Sequence, residues 1–492
     1  MGEQLRGQSF TREDRQRYRD KVHRCLDVFA RMLEQSRFDF ESPLTGLEVE
    51  LNLVDADGRP ALRNAEVLER IDDPAFVQEL GRFNLEINVP PASLSGHGAA
   101  TYERQLREQL NAANEHAREA DAGMVMIGIL PTLTSELLTH EAISSNPRYA
   151  LLDQQMLLAR GEDLHISIEG ARESLETYAD SIAPEAACTS VQFHLQVSPD
   201  EFAQNWNAAQ CLAAAQVAMG ANSPYFLGRE LWRETRISLF AAATDTRPAE
   251  LKAQGVRPRV WFGERWITSV FDLFEENLTY FPPLLPVLDD EDPEAELAAG
   301  RTPALPELRL HNGTVWRWNR PVYDVVDGVP HLRVENRVLP GGPTVLDILA
   351  NGAFYFGALR ALAEMERPVW SQMSFGAAED NFFAAARHGI DATLFWPGMG
   401  HVPATELVLR RLLPLARQGL DAWDVDPEVS ARLLAVIEGR CVGHRNGATW
   451  QTEAVHAFEA RGVSREEALR LMTLAYVERM HTNEPVHTWA PV

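Results

Sequence analysis

The segment from Gly46 to Asp55 alternates between aliphatic and polar side chains, in the order GLEVELNLVD. Because successive side chains of a β-strand point to opposite faces, this segment predicts a strand with one aliphatic and one polar face. The polar face carries Glu48, Glu50 and Asn52. A polar strand face is commonly just exposed to water, so this strand alone leaves both interpretations open.

Later segments repeat this alternation. They are 83–89 with Asn84, Glu86 and Asn88, 191–197 with Gln192, His194 and Gln196, and 333–338 with Arg333, Glu335 and Arg337. A sheet face that is merely wet favours lysine, threonine and serine, whereas carboxylate, imidazole, carboxamide and guanidinium groups bind metal ions and phosphates. If the strands share one sheet and one register, they form a polar basin backed by an apolar layer. The alternative is that the charges pair as salt bridges across a partly wet sheet.

The composition narrows the function classes. The 492 residues have a formal net charge of −25, which argues against electrostatic binding to nucleic acid or to anionic membranes. Lys21 and Lys252 are the only lysines, so phosphate contacts fall to arginine. No apolar run is long enough to span a membrane, and the four cysteines have no metal-binding spacing. We therefore expect a cytoplasmic protein with small-molecule partners, and a homo-oligomer is compatible with the sequence.

The order of the elements predicts an α+β protein. Helical patterns cover 10–36, 99–120, 147–160 and 200–220, and residues 62–80 carry a short helix. Strands are predicted near 124–130, 163–169 and 189–198, the last two as neighbours. The acidic stretch 286–306 predicts a solvated loop or lid. From Thr344 the pattern is helical, with predicted helices at 376–388, 404–418, 426–439, 448–461 and 464–481. We therefore predict a catalytic sheet domain over 1–345 and a helical region over 346–492.

The polar faces suit a hard divalent cation. Glu48 and Glu50 lie about 6.5–7 Å apart along their strand, which suits two Mg²⁺ ions flanking a polyphosphate better than one ion. Glu86, His194 and Glu335 can complete the coordination shells. The pattern therefore predicts a metal-dependent site at which phosphates bind.

Arginines and missing motifs refine this prediction. Arg333 and Arg337 can neutralise a transferring phosphoryl group or hold a substrate carboxylate. Arg236 alone is a weaker candidate, because a lone arginine more often lies at the surface or in a salt bridge. The sequence contains no P-loop, no Rossmann fingerprint, no nucleophile elbow and no H-E-x-x-H motif, so those chemistries are not supported.

Several short motifs, taken in order, resemble the glutamate–cysteine ligase family, in particular its second, bacterial group of carboxylate–amine ligases. The motifs are Gly46-Leu47-Glu48-Val49-Glu50, the Glu86 strand, Gln192-Phe193-His194, Ala221-Asn222-Ser223-Pro224, Arg236, Glu335-Asn336-Arg337 and the segment 381–389. The resemblance implies a glutamine-synthetase-like fold, in which an antiparallel sheet curves into an active-site funnel flanked by helices. It also implies ATP-dependent ligation through an acyl phosphate, which an amine then attacks.

The resemblance also implies roles for the candidate metal ligands. Glu48 and Glu86 would share one Mg²⁺ ion. Glu50, His194 and Glu335 would hold the remaining one or two ions together with the phosphates. We therefore expect a site with two or three ions.

The other implied roles concern phosphate and nucleotide. Arg236 and Arg337 would contact the γ-phosphate and the acyl phosphate. The residues that we expect to contact the nucleotide are Asn88, Gln192, Gln196 and Arg333. The sequence departs from the family at Gln192, where a histidine often stands, and this leaves the amine acceptor open.

Competing functions use the same basin. A metal-dependent amidohydrolase or phosphatase would need the same ligands but no ATP. A catalytically silent nucleotide-binding homologue would keep the basin without turnover. The leading prediction is an ATP- and Mg²⁺-dependent carboxylate–amine ligase that makes a γ-glutamyl amide.

Overall fold

The computed structural model describes residues 10–35, 38 and 43–492. Its strands are β1 Thr45–Val54, β2 Phe76–Gln78, β3 Asn84–Ala92, β4 Gly123–Val125, β5 Leu164–Glu169, β6 Ser174–Ala179, β7 Ser190–Gln196, β8 Tyr225–Phe226, β9 Arg229–Glu230, β10 Val260–Trp261, β11 Trp316–Arg317, β12 Asn319–Val326, β13 Val329–Pro340, β14 Thr393–Trp396 and β15 Gly400–Pro403. Its helices are α1 Arg12–Glu34, α2 Asn64–Ile71, α3 Gly98–Glu119, α4 Pro147–Arg160, α5 Phe202–Gly220, α6 Thr235–Ala243, α7 Ala249–Ala253, α8 Val270–Tyr280, α9 Pro293–Ala298, α10 Pro306–Asn312, α11 Val345–Ala363, α12 Phe375–His388, α13 Ala404–Leu407, α14 Leu413–Ala422, α15 Pro427–Gly443, α16 Gly447–Ala460 and α17 Arg465–Thr482.

One antiparallel sheet dominates the fold. Its strands lie in the order β12, β13, β7, β1, β3 and β2, and β4 pairs with β1. The sheet curls into a half-barrel that is flanked by helices. The predicted α+β class and the antiparallel funnel are thereby confirmed.

The aliphatic face of the sheet packs against helices α5 and α11. Leu47, Val49 and Leu51 of β1 are buried on this face. Phe193 of β7 lies so close to Gly352 of α11 that a Cβ atom there would be 3.0 Å from its ring. The alternation along β1 and β7 therefore has a packed core on one side, which leaves the other face to the polar residues.

Buried amides fasten α5 to the sheet. Asn336 of β13 exchanges hydrogen bonds with Gln216 of α5, with donor–acceptor distances of 2.9 and 3.1 Å. Its amide nitrogen also donates to Asn319 of β12, which in turn donates to Gln210 of α5, both at 2.7 Å. The network satisfies polar groups that would otherwise be costly inside the apolar layer.

The predicted pairing of 163–169 with 189–198 is wrong. β5 pairs instead with β6, which follows it after a short turn closed by the Gly170 N–H donating to the Glu173 carbonyl. β7 joins the main sheet between β1 and β13. A local hairpin closes a much shorter loop than the predicted pair, so its entropic cost is lower.

The structure sets the bounds of two further predicted elements. The short helix predicted within 62–80 is confirmed as α2, which ends at Ile71 because Asp72 is left-handed at φ 47° and Pro74 follows; β2 then takes up Phe76–Gln78. The strand predicted over 124–130 pairs only at Gly123–Val125. Beyond it the backbone is buried but irregular, and the Ile127 carbonyl accepts from the Asn52 amide at 3.1 Å. A short apolar run cannot distinguish these cases by its period.

Two predicted ranges match the structure with small differences at their ends. Helix α1 confirms the helix predicted over 10–36, although residue 36 lies outside the described residues. The acidic stretch 286–306 is mostly irregular, as predicted, but it contains the short helix α9, which begins after Asp292 as its N-cap.

Helix α11 is the one helix in the described ranges that is long and apolar enough to cross a bilayer, and 89% of its apolar window is buried inside the fold. It packs against α5, α14 and α15, so it is a core helix. The division at residue 345 into two domains stays a prediction, as do the oligomeric state and the cytoplasmic location.

Candidate active site

The strand register gathers the five predicted metal ligands on one face of the sheet. Glu50 on β1 lies directly opposite Glu86 on β3. Glu335 on β13 lies directly opposite His194 on β7, and His194 Nε2 is 3.1 Å from Glu48 Oε1. The predicted basin therefore exists, and its members come from four strands that are far apart in the sequence.

Glu50 is the best-anchored carboxylate of the basin. It accepts hydrogen bonds from the Ser190 backbone N–H at 2.6 Å, the Ser190 hydroxyl at 2.9 Å and the Gln192 amide at 3.2 Å. Burial raises the pKa of Glu50 above its usual value, although Arg337 and these hydrogen bonds act in the opposite direction. Gln192 thus supports Glu50, and its predicted contact with the nucleotide stays a prediction.

Two carboxylates that the sequence analysis missed join this part of the basin. Burial, and then the charge of Glu50, raise the pKa of Glu79 to about 8. Burial, and then Glu79 and Glu50, raise the pKa of Glu185 to about 8. Burial, and then Glu79 and Glu48, raise the pKa of Glu86 to about 10. Four carboxylates therefore repel one another in a region of low dielectric.

The missed residues have no periodic signal. Glu79 follows the short strand β2, and Glu185 lies in a 3₁₀ turn over 183–187. Their neighbours do not alternate in a way that marks a polar face. One indirect signal was available, since Glu79 precedes the Glu86 strand by only a few residues and a tight turn returns it toward that strand.

Glu335 lies in a contrasting, cation-rich environment. Its Oε2 accepts from Arg320 at 2.7 Å, and its Oε1 lies 3.6 Å from Arg337. Burial acts to raise the pKa of Glu335, but Arg320, Arg337 and His194 outweigh it and hold the pKa well below its usual range. This carboxylate is therefore ionised without any added ion.

His194 has a defined tautomer. The Arg333 Nε–H donates to His194 Nδ1 at 3.1 Å, so the lone pair is on Nδ1 and the proton on Nε2. His194 Nε2 makes no hydrogen bond despite its proximity to Glu48, and neither does Glu335 Oε1. Among the described residues, Nε2 and Oε1 thus have only their ion-pair contacts to Glu48 and Arg337, and Nε2 can coordinate a cation only after its proton has moved to Nδ1.

Both predicted catalytic arginines lie beside the basin. Arg236 is buried, and its charge acts on Glu50. Its Nε–H donates to Glu234 at 3.1 Å and its Nη2 donates to the Val338 carbonyl at 2.6 Å. Arg337, the residue before Val338, acts against the rise in the pKa of Glu50 and Glu79 and helps to lower that of Glu335. The charges of the two guanidinium groups thus both act on acidic residues of the basin.

A cleft of about 570 Å³ opens at the end of the basin that holds Glu48 and His194. Of the residues predicted to contact the nucleotide, Asn88, Gln196 and Arg333 line this cleft, and Gln192 does not. Apolar walls come from Pro90, Pro91, Val326 and Val329. The cleft therefore combines apolar surface with charged groups next to the metal ligands.

As the side chains stand, no three His, Cys, Asp or Glu residues of the described chain converge closely enough to hold one ion. The carboxylates share a face and repel one another, but they do not point at a single centre. Side-chain rotation on a fixed backbone would be needed to close a coordination shell.

Solved structures with a similar fold include two ligases of small molecules. Glutamate–cysteine ligase from Francisella tularensis, in complex with AMP, is similar with a TM-score of 0.56 and 11% identity, over 91% of this chain and 90% of that one. A bifunctional glutathione synthetase from Pasteurella multocida is similar with a TM-score of 0.55 and 11% identity, over 93% of this chain and 55% of that one. At this identity the likeness shows a shared fold.

The protein family to which the chain belongs follows from its sequence. A family model matches residues 44–453, most of the chain, and its family consists of ligases that form a carbon–nitrogen bond. The chain belongs to this family, which is glutamate-cysteine ligase family 2. The resemblance stated from the motifs is thereby confirmed. No curated protein sequence matches the chain.

Proposed function

We propose that this protein is an ATP- and Mg²⁺-dependent carboxylate–amine ligase that makes a γ-glutamyl amide through an acyl phosphate. The observation that carries the proposal is the group of Glu50, Glu79 and Glu86: burial raises the pKa of all three, and neighbouring carboxylates raise those of Glu79 and Glu86 further. Within the described ranges no arginine or lysine forms a salt bridge with Glu79 or Glu86. Such carboxylates need an added cation to be ionised together.

The basin offers two sets of metal ligands. Glu50, Glu79 and Glu86 would form one set, and Glu48, His194 and Glu335 the other. This grouping differs from the one implied by the motifs, because β1 and β3 place Glu50 opposite Glu86, while Glu48 lies beside His194. When bound, Mg²⁺ supplies positive charge that neutralises phosphate oxygens.

The cleft beside Glu48 suits ATP. Its apolar walls can pack against the adenine, and the Arg333 guanidinium is placed to meet phosphate oxygens. If Arg333 turns to an anionic phosphate, the single His194 proton can move from Nε2 to the released Nδ1, and Nε2 then has the lone pair that a ligand needs. The AMP complex of the structurally similar Francisella tularensis enzyme supports nucleotide use.

The chemistry then needs two displacements. A carboxylate oxygen of the acid substrate forms a bond to the γ-phosphorus, and the bond between that phosphorus and the ADP oxygen breaks. The amine nitrogen next forms a bond to the acyl carbon, and the bond from that carbon to the phosphate oxygen breaks. Arg236 and Arg337 stabilise the charge on the transferring phosphoryl group and the acyl phosphate.

The proton released by the amine needs an acceptor. Glu185 is a carboxylate of the basin outside both proposed metal sets, and its pKa of about 8 suits proton transfer near neutral pH. A cytoplasmic location, where ATP and amino acids are available, accords with this proposal.

ADP release in the presence of Mg²⁺, ATP, glutamate and a panel of amines tests the proposal. We expect ADP to form only when both the acid and an amine are present, together with a stoichiometric amide product. Glu176→Gln, on an exposed hairpin strand, is the matched control and should keep full activity.

Other outcomes would contradict the proposal in different ways. Amide or phosphate-ester hydrolysis without ATP would identify a hydrolase. Nucleotide binding without amine-dependent ADP formation across a broad panel of acids and amines would identify a silent homologue.

A further inference from the structure

A continuous series of buried hydrogen bonds runs from the C-terminal helices to the basin. Gln451 of α16 donates to the Asn222 side-chain oxygen at 2.8 Å and to its carbonyl at 3.0 Å. The Asn222 amide donates to the Tyr476 hydroxyl of α17 at 2.8 Å and to the Gly341 carbonyl at 2.7 Å. Gln451, Asn222 and Tyr476 are completely buried. The loop at Asn222 is thus held from several sides at once.

The next link is a buried carboxylate. The Asn222 backbone N–H donates to Glu234 Oε2 at 2.8 Å, and the Arg236 Nε–H donates to Glu234 Oε1 at 3.1 Å. The backbone N–H of Arg236 also donates to the Ser223 hydroxyl at 3.2 Å. Glu234 is completely buried, and its partners are the Asn222 backbone, the Arg236 guanidinium and the Ser223 side chain. Its position therefore depends on Asn222, and that of the guanidinium depends on Glu234.

The last link brings the series to the reacting groups. Arg236 Nη2 donates to the carbonyl of Val338, the residue that follows Arg337. The guanidinium lies 5.6 Å from the centre of the Trp318 ring, which restricts it from a second side. Nη1 donates to no protein atom in the part of the chain that is described, so this nitrogen is available to a substrate oxygen. The charge of Arg236 reaches Glu50 in the basin, where it acts against the rise in pKa that burial causes.

We propose that Glu234 is a positioning residue for Arg236 and that the C-terminal helices take part in this role through Gln451 and Asn222. A guanidinium fixed by a carboxylate on one edge and a carbonyl on another can stabilise charge without reorganising. Removing a supporting group one step away from a reacting group commonly costs about 10–100-fold in activity. The inference depends on the proposed function, because it places Arg236 on the transferring phosphoryl group.

Glu234→Gln tests the proposal kinetically. The amide keeps the size of the side chain and one acceptor oxygen but removes the charge that holds Arg236. We expect kcat to fall about 10-fold or more while KM for ATP changes little, and we expect Gln451→Met to act in the same direction with a smaller effect.

Glu276→Gln is a matched control. Glu276 lies on α8, not on a strand of the basin; it is buried and pairs with the buried Arg317 at 3.0 Å and with Arg265 at 3.6 Å. Both glutamine variants remove one carboxylate charge from a buried arginine pair, so their loss of stability should be similar. Only Glu234→Gln should lower kcat.

A second measurement needs no turnover. In protein labelled with ¹⁵N-arginine, the Arg236 Nε–H signal can be identified by its absence in Arg236→Lys. We expect this proton to exchange slowly with solvent in the wild type, about 10-fold or more faster in Glu234→Gln, and unchanged in Glu276→Gln.

The outcomes separate the two proposals. Wild-type protein that binds ATP but never releases ADP would overturn the proposed function, and the exchange rate of the Arg236 proton would then decide the positioning role alone. An active enzyme whose kcat falls equally in Glu234→Gln and Glu276→Gln, or whose Arg236 proton exchanges equally fast in wild type and Glu234→Gln, would overturn the positioning role.

Discussion

The two ends of the basin differ in whether arginine side chains compensate the charge of the buried carboxylates. At one end Glu50, Glu79 and Glu86 are buried together, and their pKa values are raised. At the other end Glu335 is as deeply buried, yet Arg320 and Arg337 hold its pKa low. The charge of a glutamate on this sheet face is thus either compensated or uncompensated, depending on whether a guanidinium lies beside it. We expect an added cation to have its largest effect at the end with Glu50, Glu79 and Glu86, where the carboxylate charges are uncompensated.

Glu86→Gln should produce the largest effect. If Glu86 holds a cation, its loss should lower the rate of amine-dependent ADP formation by about 1000-fold, the upper range for a lost electrostatic partner of the transition state. With a pKa of about 10, Glu86 must take up a proton when the metal-free protein folds at pH 8; glutamine removes this cost, so the metal-free variant should be more stable at pH 8. Urea unfolding in EDTA measures the free energy of unfolding. A Glu86→Gln protein that is less stable than the wild type would show that the contacts of Glu86 stabilise the fold by more than its raised pKa costs.

Arg320→Met should remove the charge compensation at the end of the basin that holds Glu335. It leaves Glu335 buried beside Arg337 alone, and we expect the free energy of unfolding to fall by about 3 kcal/mol in the absence of Mg²⁺. Urea unfolding at pH 7 is the measurement. A loss below about 1 kcal/mol, typical of an exposed pair, would mean that Arg320 does not compensate the buried charge of Glu335.

The pH dependence of stability should distinguish the two ends. Glu79, Glu86 and Glu185 have folded pKa values of about 8, 10 and 8, above their ordinary 4.5, so the stability that they contribute is complete below pH 4.5 and is lost as the pH rises toward 8 to 10. Each group can contribute a slope of up to about 1.4 kcal/mol per pH unit. Glu335 has a lowered pKa, so its contribution is present above 4.5 and is lost as the pH falls.

Melting curves in EDTA from pH 5 to 9 test this dependence. We expect the melting temperature of the metal-free protein to fall over this range, and added Mg²⁺ to restore most of it at pH 8. A melting temperature that does not change with pH in EDTA would contradict the raised pKa values.

Arg309→Met should have the smallest effect and serves as the control for Arg320→Met. Arg309 pairs with Asp324 at 2.6 Å at the rim of the cleft, but its side chain is 41% exposed. Solvent screens such a pair, so we expect a loss below about 1 kcal/mol in urea unfolding. An equal loss in both arginine variants would show that burial does not distinguish the two pairs.

Much of the basin could be predicted because it lies on regular strands. Alternation fixes the face on which a side chain stands, so Glu48, Glu50, Glu86 and Glu335 could be grouped before their pairing partners were known. The order of the strands could not be derived in this way, since alternation carries no information about which strand is a neighbour. The wrong pairing of 163–169 with 189–198 has this cause.

Residues outside regular elements escaped prediction. Glu79 and Glu185 reach the basin from a turn and a 3₁₀ segment, where no period links a residue to a face.

Arg236 was a weak candidate because a single arginine on a helix has no pattern. Its significance lies in the contacts to Glu234 and Val338, the second of which joins segments far apart in the chain.

The amides behind the sheet have a consequence for how β13 finds its place during folding. A shift of β13 by one residue would turn Glu335 toward α5 and Asn336 toward the solvent-filled side. Such a molecule would lose the exchange of hydrogen bonds between Asn336 and Gln216 and would bury a carboxylate against apolar helices. The protein can therefore carry a row of charges on a central strand, because the neutral amide next to Glu335 makes the misaligned alternative unfavourable.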